Sequence, residues 1–302
     1  MVQTFNPDTV MLSQSEGKEI RDAGFTREFL QTLVAQSKTL QLGSAVPMDS
    51  RMKRISGAGE LTDAYFVGEG EKIGTAKVGV KDYVLEARKI AVILPVTEEF
   101  LNYTWANYFN EVLPVVVDKF NKKIDGAVFL GLHGDPFGGN VVASATEAEN
   151  VVEGPLNFDN LITLEATTDT EPTAVVGNRS LNVGLRGISD EHGNYAYDRA
   201  SSTIDGLPYH ELKLANGETY PEGTLITGDF TNGLKYGVPN GTQLRIKIAD
   251  QATLSKVQNT APDTGDVHLF EQDMQAARFV FEIAVAIPNN EAFAVLQPAA
   301  GV

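Results

Sequence analysis

The chain has 302 residues, 42% hydrophobic and 21% charged, so it can bury the core of one large or two modest globular domains. Its net charge of −16 argues against sequence-specific binding of nucleic acid, which usually needs a basic face. The acidity serves solubility or, in a more specific interpretation, keeps the wall of a container from holding packed nucleic acid too tightly. The chain has no cysteine, which excludes disulfides, thiolate metal sites and a cysteine nucleophile, and fits a reducing cytoplasm.

Neither a secretory signal nor a membrane span is evident. The first ten residues, MVQTFNPDTV, lack the basic flank and apolar core of a signal peptide. No apolar run reaches membrane-spanning length. We therefore expect no membrane partner.

The N-terminal part of the chain is predicted to be an irregular arm over residues 1–24, followed by a short helix. Thr26 can cap that helix, and Glu28 lies in its first turn, where the helix dipole favours negative charge. Residues 40–48 are predicted to be extended, ending at Pro47. The apolar face of the predicted helix is formed by Phe29, Leu30, Leu33 and Val34.

Two predicted strands, 51–55 and 82–96, flank a long excursion of the chain. Loops of this length are uncommon inside compact domains and usually functional, so the excursion is either a mobile surface loop without a role or a contact arm that reaches a neighbouring subunit. Within the second strand, residues 90–94 are predicted to be buried, and Pro95 is predicted to end them. Six glycines are predicted to interrupt any regular pattern in the excursion: Gly57, Gly59, Gly68, Gly70, Gly74 and Gly79.

A long amphipathic helix is predicted to start after Thr97, with Glu98 and Glu99 in its first turn, and to stop at Gly131. Pro114 lies inside it and is predicted to bend it, because proline removes one backbone hydrogen bond. At 1.5 Å per residue, a helix of about thirty residues would span roughly 45 Å, which suits a spine better than a compact core. Its apolar face recurs every three to four positions: Phe100, Leu101, Tyr108, Phe109, Val112, Leu113, Val116, Val117, Phe120, Ile124 and Val128.

The second half of the chain is predicted to alternate short helices and strands. Residues 225–238 are predicted to form two strands around the turn Asp229-Phe-Thr-Asn-Gly233. The segment 270–286 begins with helix formers but ends in FVFEIAVAI, and is predicted to be a strand that continues a sheet. The other predicted elements are helices at 157–167 and 179–185 and strands at 172–176 and 244–248.

No motif in the chain predicts catalysis. The glycine-rich segment 131–140 is not followed by the Lys and Ser/Thr of a phosphate-binding loop. The segment 229–233 lacks the ligand spacing of a calcium loop. We therefore predict no enzyme activity, no cofactor and no metal site, and a soluble enzyme with an acidic cleft is the least favoured interpretation. The four histidines are scattered and unpaired in the sequence: His133, His192, His210 and His268.

The order of motifs resembles that of the major capsid proteins of tailed bacteriophages, which have the Hong Kong 97-type coat fold. YFVGEGEKI is followed by KIAVILPVTEEFLNYT, a long helix with Asp125 in the expected place, and a glycine-rich turn. The second half contains RSLNVGLRGISDEHGNYAYDR, IDGLPYHEL, the Gly-Asp-Phe hairpin in LITGDFTNGLKYGV, and the last strand in LFEQDMQAARFVFEIAVAIPNNEAFAVL. The resemblance covers residues 5–298, and the wording is most similar to coats of siphophages that infect Gram-positive bacteria.

The resemblance implies an α+β fold with an N-terminal arm, an extended β-hairpin loop, a peripheral domain built on the long spine helix, and an axial domain. The expected bounds are the arm at 1–50, the loop at 51–88, the peripheral domain at 89–154 with 266–302, and the axial domain at 155–265. About fifty residues precede the loop, so a separate scaffolding protein is expected, or this is a shortened mature form. Some relatives cross-link loop lysines to asparagines; Lys72 could stand at that position, but no clear asparagine partner follows and no cross-link is predicted.

The resemblance implies a coat protein that self-assembles, in the bacterial host cytoplasm, into hexamers and pentamers of an icosahedral virion shell enclosing double-stranded DNA. The alternative is an encapsulin-like compartment that loads a cargo enzyme. Implied partners besides itself are a scaffolding protein, a portal protein, decoration proteins and non-specifically contacted DNA. Lys72 is either a solvated charge or a salt-bridge partner of an acidic neighbouring subunit. The expected inter-subunit contact residues of the loop are Arg51, Lys53, Arg54, Glu69, Glu71 and Lys72.

Overall fold

The computed structural model describes residues 32–33, 35–61, 64, 66–73, 75, 78–189, 192–193, 195–239, 245–254 and 267–298. The chain divides into two compact units. The smaller takes its described residues from Met1–Gln36, Lys89–Phe120 and Gly241–Glu282. The larger takes them from Ser37–Arg88, Asn121–Asn240 and Ile283–Val302.

The chain contains both helices and strands, and most of its strand pairs are antiparallel, which is typical of an α+β fold. The helices are Lys38–Leu42, Glu98–Leu130, Val141–Glu147, Phe158–Ala166, Leu181–Leu185 and Phe230–Gly233, with a 3-10 turn at Asn290–Ala292. The strands are β1 Ser44–Ala45, β2 Met52–Leu61, β3 Val78–Glu86, β4 Arg88–Thr97, β5 Val151–Glu153, β6 Ala174–Gly177, β7 Tyr197–Asp198, β8 Thr203–Ile204, β9 Leu207–Glu211, β10 Leu225–Gly228, β11 Lys235–Gly237, β12 Arg245–Ala249, β13 Thr253–Leu254, β14 Val267–His268, β15 Met274–Ala286 and β16 Phe293–Gln297.

The larger unit is built on a seven-stranded sheet in the order β5-β16-β10-β6-β9-β8-β7. Strands β6 and β10 are buried along their whole length, as central strands covered on both faces should be. Three phenylalanine rings pack beside this sheet, with centroids 5.9 Å apart for Phe129 and Phe230 and 5.3 Å apart for Phe230 and Phe293. All three side chains are fully buried, so this aromatic cluster is a main part of the core.

Strand β15 is the longest strand and pairs with several partners. Its residues from Ala276 to Val280 pair antiparallel with β12, and its last residues pair antiparallel with β11. Strand β4 also pairs with β15, and β1 pairs parallel with β11. The predicted strand at the end of the segment 270–286 is therefore confirmed, and its mostly apolar sequence fits the burial of most of its residues.

The long helix is confirmed: it runs from Glu98 to Leu130 with Pro114 inside it. At 1.5 Å per residue its 33 residues span about 50 Å. It stops at Gly131, which has a φ of +66°. Glycine adopts this left-handed conformation without strain, which is why it commonly ends helices. The bend at Pro114 stays a prediction.

Three local predictions were wrong. Residues 40–42, at the start of the segment predicted to be extended, belong to the helix Lys38–Leu42, because the Ser37 side chain accepts a hydrogen bond from the Leu40 N–H and caps this short helix. Pro95 lies inside β4, and that strand alternates between exposed and half-buried residues instead of being buried. Gly57 and Gly59 lie within β2 and Gly79 lies within β3, although they were predicted to interrupt regular structure. Pairing of the two strands with each other keeps the backbone extended at these glycines.

The segment 229–233 was predicted to be the turn of a hairpin, and this was also wrong. Asp229 caps a four-residue helix by accepting a hydrogen bond from the Asn232 N–H. The strands on either side, β10 and β11, belong to different sheets and do not pair with each other. The segment is therefore a connection between two sheets. The predicted helix that would start at Thr26 lies largely outside the described residues.

Candidate inter-subunit contact surface

The predicted contact residues lie on an antiparallel hairpin formed by β2 and β3, which pair only with each other among the described strands. Opposite pairs run from Met52–Glu86 to Leu61–Val78, with an irregularity between Ala58 and Leu61. Successive side chains of a strand point to opposite faces. One face of the hairpin therefore carries Met52, Arg54, Ser56, Asp82, Val84 and Glu86.

The base of the hairpin is anchored in the core. Leu85 and Ala87 are buried together with Met48 and Ala284, and the half-buried Ile55 and Tyr83 pack against this cluster. The Ala87 N–H also donates to the Arg51 carbonyl at 2.9 Å. The hairpin thus has one face fixed to its own subunit at its base.

Arg54 is engaged within its own subunit by an ion pair with Asp82. Because Arg54 lies opposite Val84 and Asp82 lies opposite Ser56, the arginine reaches its partner diagonally across the hairpin. Hydrogen bonds from the Ser56 side chain and from Arg54 hold the pKa of the Asp82 carboxyl below its usual range. The Arg54 side chain is 70% exposed, and such solvent-exposed pairs contribute little stability.

Arg51 and Lys53 contact backbone carbonyls near the base of the hairpin. Arg51 Nε donates to the Ala87 carbonyl at 3.3 Å, and Lys53 Nζ donates to the Pro47 carbonyl at 2.6 Å. In the isolated subunit, these two side chains therefore form hydrogen bonds within the same chain at the base of the hairpin.

The tip of the loop is a turn at Glu69 and Gly70, where Gly70 has a φ of +87°. Glu71 fixes this turn: its N–H donates to the Gly68 carbonyl at 3.1 Å, and its carboxylate accepts from the Gly68 N–H at 3.2 Å. Glu69 and Lys72 are exposed and make no ion pair with any other described residue. These two charges are the ones that remain available to another molecule.

Apolar side chains of the hairpin were missed by the sequence reasoning, which considered only charges. Phe66 is fully exposed in the loop, and Ile73 is 80% exposed. On the outer face of the hairpin, Met52 is 58% and Val84 is 47% exposed. The available signal was the apolar character of Phe66, Val67 and Ile73 within a glycine-rich, charged loop. These exposed apolar side chains make the hairpin and its loop the candidate interaction surface.

Asp125 of the long helix lies in the larger unit and is buried. Its Oδ1 accepts from Ser37 Oγ at 2.8 Å, from the Thr39 N–H at 3.0 Å and from Thr39 Oγ1 at 2.7 Å, and its Oδ2 accepts from the Lys38 N–H at 2.9 Å. Burial raises the pKa of the Asp125 carboxyl, and the four hydrogen bonds oppose that shift. We name this arrangement the Asp125 clasp; it fixes residues 37–39 to the helix.

Glu218 forms a second polar centre in the larger unit. It pairs with Lys123, lies 3.1 Å from His133 Nε2, and accepts from the Ala215 N–H at 3.1 Å. Burial opposes its ionisation, but these contacts prevail and lower the pKa of the Glu218 carboxyl. Elsewhere His268 contacts Thr253 Oγ1 at 3.0 Å through Nδ1.

In the part of the chain that the structure describes, no three His, Asp or Glu side chains are grouped as a metal site would require. The described helices also include none with the length and apolar character needed to cross a membrane. The candidate functional residues are therefore those of the β2–β3 hairpin and its loop, together with the Asp125 clasp and the polar contacts of Glu218.

Known proteins are similar to this chain in sequence and in structure. Residues 22–297 match the model of the phage capsid family. The major capsid protein of Staphylococcus phage 80alpha is 40% identical over 304 residues, covering 98% of this chain and 90% of that protein. Among solved structures, a chain from Mycobacterium phage Adephagia is 24% identical with a TM-score of 0.68, covering 88% of this chain and 91% of its own. The capsid of an empty GTA particle is 13% identical with a TM-score of 0.63, and the match covers 99% of this chain and 96% of that chain.

Proposed function

Since this chain belongs to the phage capsid family and is the major capsid protein of a tailed-phage head, we propose that its copies form hexamers and pentamers of an icosahedral shell around double-stranded DNA. Self-assembly follows from membership of a capsid family. These matches confirm the expected family and the Hong Kong 97-type α+β fold. They also confirm that the protein has a structural rather than an enzymatic role and that it belongs to the virion capsid. The arrangement of contacts between copies is our proposal.

The observation that carries the proposed contact is the β2–β3 hairpin with its loop. It is a two-stranded ribbon, and an isolated hairpin of this kind is marginal in water without further packing. Its loop exposes Phe66 and Ile73, whose side chains the described residues leave largely uncovered. We propose that the hairpin and loop of each copy overlap a neighbouring copy, which buries these side chains.

Magnitudes favour the apolar side chains over the charges as the main source of contact energy. Fully burying a Phe or Ile side chain contributes about 1.5–3 kcal/mol, whereas an exposed ion pair contributes about 0–1 kcal/mol. Arg51, Lys53 and Arg54 already have partners within their own subunit, so a neighbour would compete with those contacts. The predicted role of the six charged residues is therefore to select and orient a contact that apolar burial stabilises.

We further propose the domain division expected from the family resemblance. The hairpin falls within the extended loop at 51–88, and the long helix falls within 89–154. Strands β6 to β11 fall within the proposed axial domain at 155–265, and β15 falls within the second peripheral segment at 266–302. The arm would be residues 1–50.

The proposed partners besides other copies are a scaffolding protein, a portal protein and decoration proteins. Packaged DNA would be contacted without sequence preference. The net charge of −16 supports weak contact with DNA, because an acidic wall attracts phosphate less than a basic one.

Electron microscopy and light scattering of the full chain, produced alone and together with the product of a neighbouring candidate scaffold gene, test the proposal. Closed shells built of hexamers and pentamers are the expected result. DNA inside mature particles would support the head, whereas an enzyme cargo would indicate an encapsulin-like compartment. A monodisperse monomer under both conditions would contradict the proposed assembly.

A further inference from the structure

A cleft in the larger unit, of about 410 Å³, is lined by three cations, Lys122, Arg179 and Lys213. Two carboxylates, Glu211 and Glu218, also line it. The chain as a whole is acidic, so three cations around one cleft are unusual for this surface.

Both carboxylates of the cleft have partners. Glu218 is paired with Lys123, contacts His133 and accepts from the Ala215 N–H. Glu211 accepts from Asn182 Nδ2 at 3.2 Å. Their negative charge is therefore partly compensated before any ligand arrives.

Two of the cations have no anionic partner. Arg179 and Lys213 are exposed, and neither makes an ion pair with any residue that the structure describes. Burial lowers the pKa of the nearby Lys38 amine, Asp125 and Glu211 oppose that shift, and the positive charge of Lys213 adds to it. The cleft is thus electropositive on an acidic protein.

Tyr220 lines the same cleft and adds a hydrogen-bond donor. Its hydroxyl is buried and has no hydrogen-bond partner among the described residues. Burial raises the pKa of the Tyr220 phenol, so the hydroxyl keeps its proton and needs an acceptor. A carboxylate satisfies both requirements, since it is an anion and accepts hydrogen bonds.

We infer that this cleft receives the Glu69 carboxylate from the loop of a second copy of the chain. Glu69 lies at the turn of the loop, is exposed and makes no ion pair with any described residue. The adjacent Glu71 fixes the turn that presents it. Arg179 supplies a planar guanidinium suited to a carboxylate, and Lys213 supplies a second positive charge. This inference rests on the proposal that the loop contacts a neighbouring copy.

A zero-length cross-link in wild-type shells tests the contact directly. Subunits labelled with ¹⁵N and unlabelled subunits are mixed, assembled and treated with a carbodiimide, which joins a carboxylate to an amine without a spacer. We expect peptides in which Glu69 is joined to Lys213 or Lys122 and in which the two halves carry different isotopes. The Lys123–Glu218 pair of the same subunit is the internal control and should link without isotope mixing. Detection of the control link without either Glu69 link would overturn the inference.

Charge reversal separates this inference from the proposed loop contact. Glu69→Lys and Lys213→Glu should each reduce the yield of closed shells by about tenfold, and the double variant should recover much of that yield. Glu222→Lys, at an exposed glutamate outside the loop and cleft, should assemble as the wild type does.

If both reversals assemble normally while apolar substitutions in the loop prevent assembly, the cleft assignment is wrong and the loop contact stands. If Lys213→Glu lowers only the amount of retained DNA, the cleft binds phosphate and the inference is likewise wrong. If the apolar loop variants also assemble normally, the proposed loop contact itself is wrong.

Discussion

Ser37 and Asp125 are 88 residues apart in the chain, and the Ser37 hydroxyl donates to the buried Asp125 carboxylate at 2.8 Å. This hydrogen bond is one of four in the Asp125 clasp, and two of the others come from the Lys38 and Thr39 N–H groups. Backbone N–H groups at the first turn of a helix have no partner within that helix. The Asp125 carboxylate, which belongs to the long helix, therefore accepts hydrogen bonds from the free N–H groups at the start of the helix Lys38–Leu42.

Asp125→Ala should lower the free energy of unfolding by about 3 kcal/mol or more, since it leaves several buried donors without an acceptor. Asp125→Asn should cost less, because an amide oxygen placed at Oδ1 keeps three of the four acceptor contacts. Urea unfolding of the unassembled subunit measures both changes. Asp169→Ala, at an exposed aspartate, is the control, and equal losses in all three variants would contradict the role of the clasp.

Acid should weaken the subunit partly through Glu218. The pKa of this carboxyl is lower in the folded chain than its ordinary value of 4.5. Its contribution to stability is therefore fully present above pH 4.5 and is lost as the pH falls through the folded-state pKa. Glu218→Gln should make the free energy of unfolding fall less steeply below pH 4.5. A slope equal to that of the wild type would rule out this contribution.

Replacement of Phe66 and Ile73 by serine should reduce shell assembly strongly and leave the isolated subunit as stable as before. Both side chains are exposed in the subunit, so their removal costs little there, whereas shell contacts would lose about 1.5–3 kcal/mol for each buried side chain. Gradient sedimentation gives the shell yield and urea unfolding gives the stability. Val183→Ser is the matched control, because Val183 is 75% exposed on a different element. Equal shell yields from the double loop variant and this control would argue against the loop contact.

Lys72→Glu should lower the yield and stability of shells if Lys72 meets an acidic neighbour. The effect should be modest for one exposed pair, about 0–1 kcal/mol, but every copy in the shell would contribute it. Heat dissociation of purified shells gives the readout, and Lys247→Glu, at another exposed lysine, controls for the change in net charge. Unchanged yield and shell stability would count against this role of Lys72.

Gly228→Ala should destabilise the larger unit by about 3 kcal/mol or more. Gly228 has a φ of +155°, and an added Cβ would lie 2.8 Å from the Phe293 ring and press on the Ala292 carbonyl. Gly217 also has a positive φ, +87°, but has open space around it, so Gly217→Ala should cost only backbone strain of about 1–2 kcal/mol. In thermal unfolding, Gly228→Ala should lower the melting temperature more than Gly217→Ala does. A larger decrease for Gly217→Ala would show that the close contacts at Gly228 do not determine the loss of stability.

Local signals predicted much of the fold. The Thr-Glu-Glu start and the glycine stop located the long helix, and apolar runs located β6, β10 and β15. These signals act over one or two turns or a few strand residues, so a single sequence carries them.

Longer-range features could not be predicted in this way. The segment 229–233 looked like a hairpin turn because nothing local tells which sheet each flanking strand joins. The donors of the Asp125 clasp lie 86 to 88 residues away from their acceptor, so no spacing rule finds them. Arg51, Lys53 and Arg54 were grouped as free contact charges because their partners, two carbonyls and Asp82, depend on how the hairpin pairs.

Strand β16 has a consequence for the order of events during synthesis. It lies inside the seven-stranded sheet, between β5 and β10, and pairs with Val151–Glu153 and Leu225–Gly228, which the ribosome makes much earlier. Until residues 293–297 leave the ribosome, β10 has an open edge and the Phe230 ring lacks its neighbour Phe293. A half-made coat subunit therefore cannot finish its fold, so only chains translated at least to this strand can present a completed building block to a growing head.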